Sequence, residues 1–450
     1  MSISLPKPEA DDRLQATGAA SPAAEDASGT ASPSKVRSPS KVRSLLNLVG
    51  YGFFPLAFLS RMPFAMTVVG ALALVSDVRG SIAQSGAVSA VIGMGTAVFG
   101  PAVGMFADRY GQRRVLLAGS AVNVAALVGF VLMTYSAVSI VWVGVVGFLV
   151  GASAPPVAPL SRTRLITLVT AGTAATRRRD ALLSLVMSYE SVADEFAFVL
   201  GPVVIGLLAT AFGAGAPLAF AALIAAVFVV AFALHRTAAL PRLREAAGGE
   251  APADVRSILR VRIMILPLGM FLVGAFFGST LTALTVFMRA RGMELSTGIV
   301  YGGMSVGSVA TATLIVFAPA RFTLRARWLA FAAIVLAASG GLVVADSVAL
   351  VTVALACAGC GIGGVIVTLF SIAGRRTPQG RTATVMTTLS CALIVGQALW
   401  TALGGSISQA HGSTAGFQVS VVTAAVLMLV ALASYAMDRR RGKSPVRAGA

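Results

Sequence analysis

Three carboxylates, Glu190, Asp194 and Glu195, lie close together in a stretch that is otherwise mostly apolar. Glu190 and Asp194 are four residues apart and share one face of a helix, whereas Glu195 points about 100° away. Arg61 lies in the middle of another apolar stretch. An ionisable group at the centre of a bilayer costs about 2.5–3.5 kcal/mol, so such groups are kept when they are paired or functional.

One arginine cannot neutralise three carboxylates. We therefore predict that Asp194, with Glu190 or Glu195, takes up a proton and that Arg61 is the counter-ion. The alternative is a structural ion pair that fastens two helices together. Both interpretations expect contact between Arg61 and Asp194, since the two residues lie at similar distances from the starts of their apolar stretches.

The composition indicates that a bilayer surrounds most of the chain. Of 450 residues, 57% are hydrophobic and 12% are charged, which is too apolar for a soluble globular protein. The net charge of +18 comes from basic residues between apolar blocks, a pattern that disfavours nucleic-acid binding. Cys357, Cys360 and Cys391 lie inside apolar segments, so no disulfide framework is predicted. The Cys357–Cys360 pair lies in a run of small residues, which favours close helix packing over a metal or redox site.

Residues 1–44 are polar and contain the hexapeptide SPSKVR twice in tandem, which predicts a disordered tail. The tail has no apolar core, so we expect no cleaved signal peptide and a first hydrophobic segment that stays as an anchor.

Apolar segments of about 20 residues are long enough to cross a bilayer as helices. The sequence predicts an all-α integral membrane protein with twelve transmembrane helices in two pseudo-symmetric bundles of six. The predicted spans are Leu46–Val75, Ala83–Ala107, Val115–Tyr135, Val138–Leu160, Leu182–Thr210, Pro217–Leu234, Ile263–Met288, Thr297–Ala318, Trp328–Ala345, Ala349–Ala373, Ala383–Ser408 and Phe417–Met437.

Alternate loops carry nearly all lysines and arginines, including a loop from Arg162 to Arg179, whereas the opposite side holds only Arg79, Arg289 and Arg291. By the positive-inside rule, we expect both termini to be cytoplasmic. A polar stretch near the middle of the chain separates the halves, and paired bundles of this kind place a substrate site between them. The predicted divisions are bundles at 45–235 and 263–437, a central cytoplasmic loop at 236–262 and a basic cytoplasmic tail at 438–450.

The end of the second span reads Gly104-Met-Phe-Ala-Asp108-Arg109-Tyr-Gly111-Gln-Arg113-Arg114. This run resembles the signature G-x-x-x-D-R-x-G-x-R-R of the major facilitator superfamily, at the same place between spans two and three. The resemblance implies a latch between the halves in the outward-facing state. Gly104, Asp108, Arg109 and Arg113 would carry the latch, and Gly111 and Arg114 complete the motif.

In span five, Gly201-Pro202 and Gly206 are similar to a signature of drug:proton antiporters in this superfamily. Proline removes a backbone donor, so the segment also fits a simple bend of the helix. The antiporter pattern has an arginine in span four, but Trp142 to Pro159 contains none.

The resemblance implies a secondary transporter that works by alternating access. We expect proton-coupled export of small amphipathic molecules across the cell membrane, with Tyr189, Gln397 and Trp400 as candidates to line the cavity. The alternatives are a proton-coupled uptake symporter, a dedicated amino-acid or metabolite exporter, and a non-transporting membrane sensor. We expect a monomer that is not an enzyme and that has no metal site, no nucleic-acid partner and no cofactor beyond the coupling proton.

Overall fold

A computed structural model of the protein describes residues 45–46, 49–172, 176–239, 253–293, 296–319, 321–378 and 380–442. The predicted N-terminal tail, part of the central loop and residues 443–450 lie outside the described residues. Within the described ranges the regular structure is helical.

We number the membrane-spanning helices α1 to α12. Their bounds are α1 Phe53–Leu59 and Met62–Arg79, α2 Ile82–Tyr110, α3 Gln112–Tyr135, α4 Ile140–Ala152 and Val157–Gly172, α5 Thr176–Phe212, α6 Ala216–Leu234, α7 Val261–Arg289, α8 Thr297–Leu314, α9 Leu324–Val344, α10 Val348–Arg376, and α11 and α12 as the two parts of Thr382–Gly442.

Among the described residues, eleven helices are long and apolar enough to cross a membrane. The last of them, Thr382–Met437, has 56 residues, so it would extend about 84 Å, nearly three times the thickness of the hydrocarbon core. Gly412 interrupts it with φ 86° and ψ 171°, a conformation that glycine adopts without a steric penalty. The segment therefore divides at Gly412 into α11 and α12, and the predicted all-helical membrane fold is confirmed.

α1 is broken near its middle, at Ser60 and Arg61. Pro63 has no backbone N–H, so the carbonyl of Leu59 loses its partner one turn earlier. The Ser60 hydroxyl lies 2.6 Å from the Leu56 carbonyl and 2.9 Å from the Phe228 carbonyl of α6. The break places Arg61 at the start of the second segment of α1, which runs past the predicted end to Arg79.

The prediction that span four ends at Leu160 is wrong. After a break that contains Pro155 and Pro156, the helix resumes and continues to Gly172. Arg162 and Arg164 therefore belong to α4, where each is only 2% exposed, and not to a solvated loop. The remaining basic residues still give the loops of that side their excess of positive charge.

Three other predicted boundaries also differ from the structure. α5 begins at Thr176, before the predicted start at Leu182. α7 begins at Val261, inside the predicted central loop, and α12 continues to Gly442, inside the predicted basic tail. Helices extend beyond their apolar cores because the hydrogen bonds of a helix join backbone groups and form with polar as well as apolar side chains.

Small residues bring α8 and α10 into close contact. A Cβ atom added to Gly307 would lie 2.0 Å from the carbonyl oxygen of Ala356, and one added to Gly359 would lie 1.9 Å from that of Met304. The run of small residues around Cys357 and Cys360 thus packs backbone against backbone, as small residues do between membrane helices.

Candidate functional site

Arg61 of α1, Arg162 of α4, and Glu190 and Asp194 of α5 form a buried group that we call the charge cluster. Arg61 Nη2 lies 2.5 Å from Glu190 Oε2, and Arg61 Nη1 lies 3.3 Å from Asp194 Oδ1. Arg162 donates to Asp194 Oδ2 through Nη2, and its Nε lies 4.0 Å from Glu190 Oε2. The cluster contains two positive and two negative charges, so its ionised form is electrically balanced.

The two carboxylates of the charge cluster differ in their access to solvent. The side chain of Glu190 is 0% exposed, and its Oε1 accepts a 2.7 Å hydrogen bond from the Ser161 hydroxyl. The Asp194 side chain is 24% exposed. Asp194 is therefore the more accessible of the two carboxylates.

The structure brings Arg61 and Asp194 together, but the assumption that Arg61 alone faces the carboxylates is wrong. Sequence reasoning missed Arg162 because it placed the end of α4 too early. A signal was present, since apolar residues at helical spacing, among them Leu165, Ile166 and Val169, follow Arg162 and are buried.

Glu195 stands apart from the charge cluster. Its Oε1 accepts a 2.7 Å hydrogen bond from the Ser308 hydroxyl of α8, in the second half of the chain. In the described part of the chain, no arginine or lysine pairs with Glu195. The three carboxylates that the sequence grouped together thus divide into a neutralised pair and a single carboxyl between the halves.

Arg164, which also belongs to the loop predicted from Arg162 to Arg179, supports the end of α6. Its Nε donates to Gln112 Oε1 at 2.8 Å, and its Nη1 donates to the Phe232 carbonyl at 2.7 Å. The last carbonyls of a helix have no partners within the helix and carry a partial negative charge. Arg164 therefore stabilises the C-terminal end of α6 and ties it to α3 and α4.

Asp108, at the end of α2, caps the N-terminus of α11. Its Oδ1 accepts from the backbone N–H of Ala383 at 3.0 Å, and its Oδ2 accepts from the N–H and the hydroxyl of Thr384 at 2.8 and 2.6 Å. A helix N-terminus has unpaired N–H groups and a partial positive charge, so a carboxylate is a favourable cap. One residue of the first half thereby fixes the start of a helix of the second half.

Gly104 lets α2 approach α11. A Cβ atom on Gly104 would lie 2.1 Å from Thr387 Oγ1 and 3.0 Å from the Ala383 carbonyl oxygen. Gly111 has φ +88° and forms the turn from α2 into α3. Gly104 therefore allows the close contact between α2 and α11, and Gly111 allows the turn between α2 and α3.

The arginines of the motif lie differently from Asp108. Arg109, Arg113 and Arg114 are exposed, and the Arg109 guanidinium carbon lies 5.4 Å from the ring centre of Tyr110. Within the described ranges, the structure gives none of the three a polar contact with the second half. A latch role for these arginines stays a prediction.

Gly201 and Pro202 lie inside the continuous helix α5. A Cβ atom on Gly201 would lie 3.0 Å from the Ala65 carbonyl oxygen of α1, whereas one on Gly206 would meet nothing within 4 Å. Gly201 therefore allows α5 to pack on α1, and the bend predicted at these residues stays a prediction.

Two of the three side chains proposed to line the cavity have polar contacts inside the bundles. The Tyr189 hydroxyl donates to the Phe54 carbonyl at 2.9 Å, and Trp400 Nε1 donates to Thr423 Oγ1 at 3.1 Å. Gln397 is partly buried in α11. Tyr189 and Trp400 each have a partner already, so their role in binding a ligand stays a prediction.

Several inter-half contacts lie toward one end of the bundle, which we call the basic end because the loops with Arg109–Arg114, Arg321–Arg327 and Arg375–Arg381 lie there. Asp108 contacts α11, and Asp180 Oδ1 of α5 lies 3.1 Å from Arg375 Nη2 of α10. The Arg162 guanidinium carbon lies 3.8 Å from the ring centre of Phe370 in α10. These contacts close the two halves against each other at the basic end.

Comparisons with known proteins agree with this architecture. The sequence matches the family model described as Major Facilitator Superfamily over residues 53–393. No curated protein matches it. Among solved structures, the human organic anion transporter MFSD10 (TETRAN) aligns with a TM-score of 0.64 at 16% identity, covering 88% of this chain and 100% of that one.

Two further structures share the fold. A bacterial homologue of the iron transporter ferroportin, in an outward-facing state, gives a TM-score of 0.65 at 16% identity, covering 85% of this chain and 98% of that one. The proton:xylose symporter XylE, bound to 6-bromo-6-deoxy-D-glucose, gives a TM-score of 0.60 at 15% identity, covering 88% of this chain and 96% of that one. Identities this low show the fold alone. The family match extends over most of the chain, and this protein therefore belongs to the Major Facilitator Superfamily, a family of multi-pass membrane transporters.

Proposed function

We propose that this protein exports small amphipathic molecules from the cell in exchange for protons, by alternating access of one site to the two sides of the cell membrane. The observation that carries the proposal is the charge cluster, in which Asp194 is partly exposed and shared between two arginines. Proton coupling occurs on this fold, since the similar structure of XylE is that of a proton:xylose symporter.

Protonation of Asp194 would change the balance of the charge cluster. With Asp194 neutral, Arg61 and Arg162 face only the charge of Glu190, which Arg61 already contacts at 2.5 Å. Arg162 then loses its contact with a charged Asp194 and keeps only the longer contact of 4.0 Å with Glu190, while its guanidinium still lies on Phe370 of the second half. A proton at Asp194 would thus alter a contact that helps to hold the halves together at the basic end.

The proton gradient supplies enough energy for this cycle. One charge that crosses the membrane carries about 2.3 kcal/mol per 100 mV, and a tenfold concentration ratio of an uncharged solute corresponds to about 1.4 kcal/mol. The positive-inside rule assigns the basic end to the cytoplasm. Contacts at that end then correspond to a conformation closed toward the cytoplasm, in which a proton from outside can reach Asp194.

The proposed substrate class follows from the walls of the bundle. The predicted spans contain few Asn, Gln or charged side chains, which sugars and other polar solutes need for hydrogen bonding. Apolar walls with a few charged groups favour molecules that are themselves amphipathic.

The first test is antimicrobial susceptibility, over a chemically broad panel, of an efflux-deficient bacterium that expresses the wild type, Asp108→Asn or Asp194→Asn at matched levels. We expect resistance to at least one compound, lost in both variants. The same compound should then drive proton movement in proteoliposomes loaded with a pH-sensitive dye. Unchanged proton-driven transport by Asp194→Asn would contradict the coupling role of Asp194, and inward flux of the compound would contradict export.

A further inference from the structure

Glu195 faces the space between the halves, on the side of α5 turned away from the charge cluster. Because the cluster pairs two arginines with two carboxylates, it has no surplus charge to offer Glu195. The neighbours of Glu195 in the second half are hydroxyl groups: Ser308 donates to it at 2.7 Å, and Ser305 lies one turn earlier on α8. Glu195 is thus a carboxyl whose ionised form has no cationic partner in the described residues.

The direction of each side chain on α5 follows from the helical period of 100° per residue. Glu195 points toward α8, where it contacts Ser308, and a Cβ atom on Gly201 would point toward α1, where it would lie 3.0 Å from the Ala65 carbonyl oxygen. Phe198 falls midway between these two directions, about 60° from each. It is one turn farther from the basic end than Glu195.

Phe198 is 53% exposed, so neither α1 nor α8 covers it. Its ring makes an edge contact with Phe64 of α1, with ring centres 6.5 Å apart. Phe64 directly precedes Ala65, the residue that Gly201 contacts. The two rings therefore lie beside α5 in the direction between α1 and α8, about 60° around the helix from the direction of Glu195.

We propose that Glu195, Phe198 and Phe64 form a subsite for the positively charged group of an amphipathic organic cation, held between α1, α5 and α8. The inference rests on the proposed export function and names its substrate class. A carboxylate attracts an ammonium or phosphonium centre, and the faces of aromatic rings add a favourable interaction with the same centre. The hydroxyls of Ser305 and Ser308 can rotate to donate hydrogen bonds to the carboxylate while no cation occupies the subsite.

The subsite allows a proton and an organic cation to exchange at the same carboxylate. A proton and an organic cation both neutralise the Glu195 carboxylate, so they compete for it, and a lower pH weakens binding of the cation. The other titratable groups near Glu195 are Asp194 on its own helix and Tyr301 of α8. The Tyr301 hydroxyl donates to the Phe277 carbonyl at 3.3 Å. Asp194 already has two arginine partners, which leaves Glu195 as the carboxyl without a cationic partner in the described residues.

The test measures equilibrium binding to the full-length protein in detergent, without any gradient. Three probes of similar aromatic character but different charge are compared: tetraphenylphosphonium, tetraphenylborate and neutral triphenylphosphine oxide. The variants are Glu195→Gln, Glu195→Asp and Phe198→Leu. Asp77→Asn is the matched control, because Asp77 is an exposed carboxylate on α1 outside the subsite.

We expect the wild type to bind tetraphenylphosphonium about tenfold more tightly than the neutral probe, since one charge-assisted contact is worth about that factor. Glu195→Gln should remove this difference and its pH dependence. Phe198→Leu should weaken cation binding about threefold. Asp77→Asn should change neither the affinity for the cation nor its pH dependence. Glu195→Asp should keep selectivity for the cation, which covers the case in which Glu195→Gln does not fold.

Equal binding of the cation by the wild type and a folded Glu195→Gln would overturn the subsite, as would preference for the anion or the neutral probe, or no binding of any probe. The proposed function is judged separately, by flux of a compound found in the susceptibility panel. Proton-coupled export of uncharged compounds with no cation binding would leave the function standing and defeat the subsite. Cation binding with no proton-coupled flux would support the subsite and contradict the proposed function.

Discussion

The guanidinium of Arg162 lies on the ring of Phe370, with its central carbon 3.8 Å from the ring centre, although the two residues belong to different halves of the chain. Arg162 also donates to Asp194, so one side chain joins the charge cluster to the contact between the halves. Arg162 therefore links Asp194 directly to a contact between the halves at the basic end.

Phe370→Leu tests this connection, because leucine keeps an apolar side chain but has no aromatic face. A cation–π contact contributes about 0.5–2 kcal/mol, so the closed basic end should be destabilised and proton-driven flux should fall about 2- to 30-fold. Phe370→Tyr keeps the ring and should retain most of the flux. The measurement is the initial rate of transport in proteoliposomes, and equal rates for the leucine variant and the wild type would argue against the connection.

Asp108→Asn should loosen the start of α11. The amide has one acceptor oxygen in place of two, so it loses at least one of the hydrogen bonds from Ala383 and Thr384. It also has no negative charge to oppose the partial positive charge of the helix end, and this loss alone is about 0.3–1 kcal/mol. Cys391, buried where α11 meets α2 and 3.7 Å from the Thr96 carbonyl, is a native reporter of this opening. In a background with Cys357 and Cys360 replaced by alanine, maleimide should label Cys391 about 2- to 5-fold faster in Asp108→Asn than in the parent.

Arg113→Gln is the comparison for Asp108→Asn. Arg113 belongs to the same motif but is exposed, so its removal should change the labelling rate of Cys391 less than Asp108→Asn does. An equal effect of the two substitutions would show that the latch depends on the charge of the whole motif and not on the cap that Asp108 provides.

Gly104→Ala should hold α2 and α11 apart. The added Cβ would lie 2.1 Å from Thr387 Oγ1, and the nearby backbone of α11 leaves little room for adjustment. We expect faster labelling of Cys391 and loss of at least about half of the transport rate, since overpacking costs about 1–3 kcal/mol. Gly206→Ala is the control, because a Cβ at Gly206 meets nothing within 4 Å. Similar loss in both variants would point to helix flexibility instead of close packing.

The charge cluster should show strong non-additivity. Arg61→Gln leaves Glu190, whose side chain is 0% exposed, without its closest cation. Removal of one partner of a buried pair costs about 3–5 kcal/mol, whereas removal of both can be nearly neutral. The double variant Arg61→Gln/Glu190→Gln should therefore recover most of the melting temperature in detergent that Arg61→Gln loses. A double variant that is less stable than either single one would show that hydrogen bonds, and not charge balance, hold the cluster.

The sequence by itself determined the all-helical membrane fold and the alternation of loops rich in basic residues with loops that have few. Hydropathy, helix length and the side on which basic residues lie are local properties, and the bilayer imposes the same length on every span. The resemblance of the motif from Gly104 to Arg114 identified the family for the same reason, because its residue types and spacing can be read along the chain.

Only the tertiary structure decided which charges meet. Arg162 looked like part of a basic loop, because sequence position does not show that α4 resumes after its prolines and turns this arginine toward α5. The separation of Glu195 from Asp194, and its contact with Ser308, also depend on the packing of α5 between α1 and α8. Contacts between residues that are far apart in the chain depend on how the helices pack, and apolar helices of similar composition can pack in many ways. Close approaches of helices, such as those at Gly104 and Gly201, select one packing arrangement.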